Sequence, residues 1–105
     1  MSSALVEQLV GEALDRLPAW VLDVLSTVPV VVTDGGREAG AYGLYRGDGV
    51  ARDDALDQIV IYGDTLVRDF GHDPELLALE VERTLRHEIA HHLGFAEAGV
   101  AGLGL

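Results

Sequence analysis

Apolar residues recur at the three- and four-residue spacing of an amphipathic helix in two long segments of the chain. The first segment follows Ser3, which is able to cap a helix, and the second runs from Asp73-Pro74 to about Leu93. Pro18 cannot continue the first helix but suits the first turn of a new one, so residues 18–25 are predicted to form a second short helix or a kinked continuation. Its predicted buried side consists of Trp20, Val21, Val24 and Leu25.

Three shorter segments have the β-branched or alternating pattern that is typical of strands. They are residues 30–33, 41–45 and 59–62. Gly43 lies inside the second segment and predicts either a bulge or a close backbone approach. Apolar residues at 66, 67 and 70 predict one or two helical turns before Gly71. Residues 47–57 are predicted to form a mobile loop at the rim of a site, and residues 98–105 a flexible tail.

The order of these elements predicts the α+β class. With 105 residues, 49 % of them hydrophobic, residues 1–105 are expected to form a single domain with one modest core. We expect N-terminal helices, a small mixed sheet of about three strands and a long C-terminal helix packed across that sheet. Because the chain has no cysteine, disulfides and thiolate metal ligands are excluded.

The charge of the chain narrows the possible partners. Eighteen acidic residues against seven Lys plus Arg leave a formal charge of −11, which disfavours binding to nucleic acids or anionic membranes. The N-terminus lacks a basic leader region and no apolar run has the length of a membrane span. The expected location is therefore the cytoplasm, and the expected partner is a peptide or protein substrate.

The C-terminal helix carries a metal-binding pattern, His-Glu-x-x-His, at residues 87–91. At 100° per residue, His87 and His91 lie about 40° apart and one turn apart, so both imidazoles project from the same face of the helix. That spacing suits two ligands of a zinc ion. Glu88 lies at about 100° on the flank of this face, close enough to act on a metal-bound water as general base without being a ligand.

A catalytic zinc usually has three protein ligands, and only 14 residues follow His91. Gly94 can take the left-handed conformation that ends a helix, after which the chain would turn back toward the metal. We therefore predict Glu97 as the third ligand. His92 lies at about 140°, toward the apolar stripe, and is predicted to support the site from behind or lie in the core. His72 is predicted to be a solvated loop residue.

The chain resembles the small bacterial zincin-like metallopeptidases called minimal zincins, whose domain ends in a helix of the form H-E-x-A-H-H-x-G. The likeness is carried by residues 59–62, 73–75 and 84–94, and more weakly by 17–18 and 43–47. It implies a zinc-dependent peptidase with His87 and His91 as ligands and Glu88 as base. Members of the family most often have Asp or His where this chain has Glu97, and the methionine turn of the related metzincins has no counterpart, since Met1 is the only methionine.

The same resemblance implies that a free strand edge binds an extended peptide, and we expect this edge to be the third strand or its neighbour. Tyr45 or Tyr62 is a candidate donor of a hydrogen bond to the oxyanion of the reaction. Two other functions fit the residues: a zinc-binding domain without peptidase activity that binds a peptide or partner protein, and a metal-free acidic interaction module.

Overall fold

The structure, a computed structural model, describes residues 3–46 and 57–94. These residues form five α-helices and three β-strands, with a short 3-10 turn at Leu25–Thr27. The helices are α1 (Ser3–Asp15), α2 (Ala19–Val24), α3 (Gly36–Ala39), α4 (Gly63–Phe70) and α5 (Pro74–Leu93). The strands are β1 (Val30–Thr33), β2 (Gly43–Arg46) and β3 (Gln58–Tyr62). The described part of the chain thus has the α+β architecture that the residue pattern predicts, and the long helix lies at its C-terminal end.

The sheet is mixed and has the order β1-β3-β2. Strand β1 pairs with β3 in parallel, with Val31 opposite Val60. Strand β2 pairs with β3 antiparallel, with Gly43 opposite Ile61. The third strand is therefore central and cannot supply the free edge that was predicted to bind a peptide. Its neighbour β2 is an edge strand, which leaves the other predicted alternative.

The core lies between α5 and one face of the sheet. Ile59 and Ile61 of β3 are fully buried on this face, where α1 and α4 also pack against α5. Because side chains alternate along a strand, Val60 and Tyr62 occupy the other face. The buried cluster consists of Val6, Val10, Ala13, Val21, Val28, Ile59, Ile61, Leu66, Leu77, Val81, Leu85 and Ile89.

Helix α5 begins and ends where the sequence predicts. The Asp73 side chain accepts hydrogen bonds from the backbone N–H groups of Glu75 and Leu76, at 3.1 and 3.2 Å, and Pro74 opens the first turn. Gly94, at φ +78°, ends the helix in the left-handed conformation. Within the described ranges, neither α5 nor any other helix combines the length and apolar character needed to cross a membrane.

Two local predictions are wrong. Trp20 is 47 % exposed rather than buried. A helix as short as α2 presents one narrow face to the core; Val21 occupies that face, and Trp20 lies about 100° away from it. The second strand begins at Gly43 rather than at residue 41. Ahead of the strand, the Ala41 carbonyl oxygen accepts a hydrogen bond from the Thr65 hydroxyl at 2.8 Å.

Helix α4 has the two turns before Gly71 that its apolar residues predict, and it follows β3 without a linker. Asp64, in its first turn, accepts backbone hydrogen bonds from Gly36 at 3.0 Å and Arg37 at 3.4 Å. This contact joins α4 to α3, a one-turn helix that the sequence pattern did not predict. The predicted loop at 47–57, apart from Asp57, and the predicted tail at 98–105 lie outside the described residues.

Candidate metal centre

His87 and His91 bring their imidazoles together on one face of α5. The two Nε2 atoms are 3.0 Å apart and the ring centroids 4.5 Å apart. Two nitrogens bound to one tetrahedral zinc at about 2.0–2.1 Å lie about 3.3 Å apart, so the pair needs little adjustment to chelate such an ion. His91 is exposed and His87 is partly exposed, so an ion could reach them from solvent.

Glu88 lies beside the two imidazoles in a different environment. Its side chain is buried, with 6 % of the residue exposed, and its carboxylate lies within 4.8 Å of the ligand atoms of both histidines. Burial raises the pKa of the Glu88 carboxyl, and the neighbouring His87 and His91 oppose that rise. A carboxylate with a raised pKa beside a pair of metal ligands is suited to accept and release a proton.

Gly43 allows α5 to lie against β2 at the level of Glu88. A Cβ atom at this position would be 2.7 Å from Thr84 Cγ2, 3.1 Å from the Val60 carbonyl oxygen and 3.3 Å from Glu88 Cγ. Of the two alternatives that the sequence left open, a bulge or a close approach, the structure shows the close approach. The absence of a side chain at Gly43 therefore positions the general-base candidate against the edge strand.

The chemistry of the donor set fits a zinc ion. Zinc sites commonly use imidazole nitrogens as ligands, and they often have a carboxylate nearby as an acid–base group. Among residues 3–46 and 57–94, no other histidine or acidic residue joins this group. Glu97, the predicted third ligand, lies outside the described residues.

The two candidate tyrosines lie on opposite faces of the sheet. Tyr62 is buried beside Val60 and Gly35 on the face away from α5, and the structure does not bring it to His87 and Glu88. Tyr45 lies on the α5 side, where its hydroxyl donates to Asp57 Oδ2 at 2.6 Å and lies 3.0 Å from His92 Nδ1. Its hydroxyl is thus occupied by Asp57 and His92 rather than directed at the Glu88 carboxylate.

His92 is half-buried and links the end of α5 to the sheet. Besides the Tyr45 hydroxyl, its Nδ1 lies 3.5 Å from Asp57 Oδ2. The residue sits where the helical angles place it, away from the His87–His91 pair, and it supports the last turn of α5 through polar contacts rather than through core packing. His72 is exposed in the turn before α5.

Tyr42 is a site residue that the sequence interpretation missed. It lines a cleft next to His87 and Glu88, together with Gly43 and Phe70. Alternation within a strand would have placed Tyr42 on the far face from Gly43, but Tyr42 precedes the first residue of β2, so the rule does not apply to it. The available signal was its position directly before the close-approach glycine.

The geometry agrees with a comparison against known families. The family model of zincin-like metallopeptidases matches residues 25–105, and the chain belongs to this family. The match includes the whole sheet and the His-bearing helix, and the family implies a divalent metal, typically zinc. No curated protein matches the chain.

Proposed function

We propose that the protein is a zinc-dependent metallopeptidase in which His87 and His91 hold the ion and Glu88 is the general base. The observation that carries this proposal is the convergence of the two Nε2 atoms, 3.0 Å apart, next to a buried carboxylate with a raised pKa. Membership of the zincin-like metallopeptidase family supports the same reaction class. Glu97 is proposed as the third ligand, supported by the left-handed Gly94 that ends α5 ahead of it.

Zinc, when bound by these histidines, supplies Lewis acidity that lowers the pKa of a water molecule and polarises a carbonyl group. Glu88 takes a proton from the water that attacks the peptide carbonyl carbon, and it then delivers this proton to the amine that leaves. Its burial suits both steps, because a carboxylate with a raised pKa binds a proton more readily than an exposed one.

The proposed substrate is an extended peptide segment that pairs with the free edge of β2. This strand is at the edge of the sheet and its first residue, Gly43, lies beside Glu88. Backbone hydrogen bonds along an edge strand bind a peptide irrespective of its sequence and would direct one peptide bond toward the metal.

The zinc content of protein purified without a histidine tag tests the ligand set. We expect about one zinc per wild-type chain, as for a catalytic site, and loss of the ion in His87→Ala and Glu97→Ala. His72→Ala is the matched control and keeps its zinc, because His72 is an exposed turn residue. Zinc lost from His87→Ala but retained by Glu97→Ala would assign the third ligand elsewhere. A wild-type protein that takes up no zinc would refute the metal site.

Glu88→Gln tests the mechanism separately from the metal. The substitution preserves the size of the side chain but removes its basicity, so we expect full zinc content and a loss of peptide hydrolysis of at least about 100-fold, the usual scale of general-base catalysis. Hydrolysis would be measured with a mixed peptide library and mass spectrometry. Unchanged hydrolysis by Glu88→Gln would show that another group is the base.

A further inference from the structure

A groove of about 470 Å³ lies on the face of the sheet away from α5. Its floor is formed by Val31 and Val60, which are paired neighbours on β1 and β3. The volume is within the range of sites that bind small ligands. Because His87 and Glu88 belong to α5, on the other side of the sheet, this groove is separate from the candidate metal centre.

The two ends of the groove carry opposite charges. Asp34 and Glu38 line one end and Arg46 lines the other, and all three residues are exposed. Arg46 pairs with the first residue of β3, whereas Asp34 follows the residue of β1 that pairs with the last residue of β3. Four residue steps of about 3.3 Å therefore separate the two ends, or about 13 Å. Among the described residues, none of these three side chains forms an ion pair.

Tyr62 brings a buried polar group to the acidic end of the groove. The residue is 6 % exposed, and a Cβ atom built at Gly35 would be 3.6 Å from Tyr62 Cε1. The hydroxyls of Tyr42 and Tyr45 are both bound to carboxylates, whereas that of Tyr62 has no hydrogen-bond partner within residues 3–46 and 57–94. Burying a hydroxyl without a partner costs free energy. The Tyr62 hydroxyl is thus available to a ligand that enters the groove.

This arrangement matches a ligand with a positive and a negative end joined by an apolar part. A linear peptide of about four residues with free termini is such a ligand, since an extended chain of that length spans about 13 Å. Alternate side chains of an extended peptide point to the same side, so they can lie on Val31 and Val60. The guanidinium of Arg46 suits a carboxylate, which it can bind through two parallel hydrogen bonds.

We propose that this groove, here called the Tyr62 groove, binds short linear peptides with free termini. Asp34 and Glu38 bind the terminal ammonium group, which also donates a hydrogen bond to the Tyr62 hydroxyl. Arg46 binds the terminal carboxylate. The site requires neither zinc nor peptide hydrolysis, because no group of the candidate metal centre contributes to it.

An NMR titration with the peptide Ala-Leu-Ala-Leu tests the groove. The protein is the full-length Glu88→Gln variant, which should leave the peptide uncleaved, and the backbone amide resonances of Val31, Val60 and Tyr62 are followed. We expect saturable binding with shifts of these resonances. Acetylation of the peptide N-terminus or amidation of its C-terminus should each weaken binding by about two- to fivefold, the scale of one exposed ion pair.

Substitutions at the two ends of the groove test which charge binds which terminus. Arg46→Gln should bind the free and the amidated peptide equally, and the double variant Asp34→Asn, Glu38→Gln should bind the free and the acetylated peptide equally. Arg16→Gln is the matched control, because Arg16 is an exposed arginine that pairs with Glu82 of α5. It should retain both preferences.

Tyr62→Phe tests the buried hydroxyl. Since this hydroxyl has no partner among the described residues, the free energy of unfolding should stay unchanged. The free peptide should bind about two- to tenfold more weakly, the scale of one hydrogen bond, whereas binding of the acetylated peptide should not change. An equal loss for both peptides would show that the hydroxyl does not bind the terminal ammonium group.

Three outcomes would overturn the Tyr62 groove as a peptide site. The free and the capped peptides could bind equally, or the shifts could be confined to Gly43 and His87 on the other face of the sheet. Alternatively, the resonances of Val31 and Val60 could change on dilution without peptide, which would assign this face to a contact between two copies of the chain. A wild-type protein that holds no zinc or hydrolyses nothing would refute the proposed function and leave the titration result unaffected.

Discussion

At the scale of single residues, the site depends on a glycine as much as on its charged groups. Glu88 is a buried acid, and burying a carboxylate costs free energy unless the group is paired or hydrogen-bonded. Gly43 leaves the space that allows the Glu88 stem to pack against β2. The contact between β2 and α5 therefore affects both the stability of the fold and the position of the general-base candidate.

Gly43→Ala is expected to destabilise the protein and to disturb the site together. The added methyl group would be 2.7 Å from Thr84 Cγ2 and 3.1 Å from a backbone oxygen, so α5 has to move away from β2. We expect a loss of about 1–3 kcal/mol in the free energy of unfolding, the usual cost of overpacking, measured by urea denaturation.

Gly11→Ala is the matched control for this substitution. Gly11 lies inside α1 and a Cβ there meets nothing within 4 Å, so alanine should stabilise the helix by about 0.5–1 kcal/mol. A Gly43→Ala protein as stable as the wild type would show that α5 does not approach β2 as closely as described.

At the scale of elements, α5 combines the core and the chemistry on different sides of one helix. Val81, Leu85 and Ile89 are fully buried against the sheet, while His87 and His91 occupy the adjoining face. The first turn is fixed by its Asp73 cap, and the last turn by the contacts of His92 with Tyr45 and Asp57. Both ends of the helix are thus held, which keeps the histidines in register with β2.

Asp73→Ala tests how much the cap contributes. The substitution leaves two backbone N–H groups of the first turn without their carboxylate acceptor, so we expect a loss of about 1 kcal/mol in the free energy of unfolding. Thermal or urea unfolding followed by circular dichroism measures it. Asp73→Asn, which keeps a side-chain oxygen able to cap, should stay close to the wild type. Equal losses in both variants would argue against capping as the cause.

At the scale of the whole molecule, two acids of α4 connect it to neighbouring elements. Burial raises the pKa of Asp64, but backbone N–H groups, among them those of Gly36 and Arg37, outweigh it and hold this pKa below its usual value. The Arg68 guanidinium, followed by the Tyr42 hydroxyl, holds the pKa of Asp69 at about 2. Both carboxylates therefore favour the folded state in their ionised form.

The protein is expected to lose stability in acid. For both groups the folded-state pKa lies below the unfolded value of about 3.9, so their stabilisation is complete above that pH. It is lost as the pH falls through the folded-state pKa, which for Asp69 is about 2. Tm measured from about pH 6 to pH 2 should fall most steeply below about pH 4.

Asp69→Asn is the test variant for this pH dependence. It removes one of the two titrating groups, so its Tm should be lower than that of the wild type at neutral pH and should fall less on acidification. An identical acid-induced decrease in Tm for both proteins would show that Asp69 does not contribute to it.

Much of the fold followed from local rules. The caps of α5, the three strands and the pairing of His87 with His91 all depend on contacts within a few residues, and the structure places them where the patterns predict, apart from the start of β2. The position of Trp20, the central place of β3 and the role of Tyr42 could not be predicted in this way. Each of these depends on which elements pack together, and residue spacing along a short segment carries no such information.

The sequence by itself determined the helix of the candidate metal site, because a helical period places residues 87 and 91 on one face whatever surrounds them. It also narrowed Gly43 to a close approach or a bulge, since a glycine inside a strand often marks one of these two features. The tertiary structure alone decided between those two, buried Glu88 against β2, made β2 an edge strand among the described residues and formed the cleft at Tyr42 and Phe70. These features arise from contacts between residues far apart in the chain, whose partners are chosen by packing of the whole core.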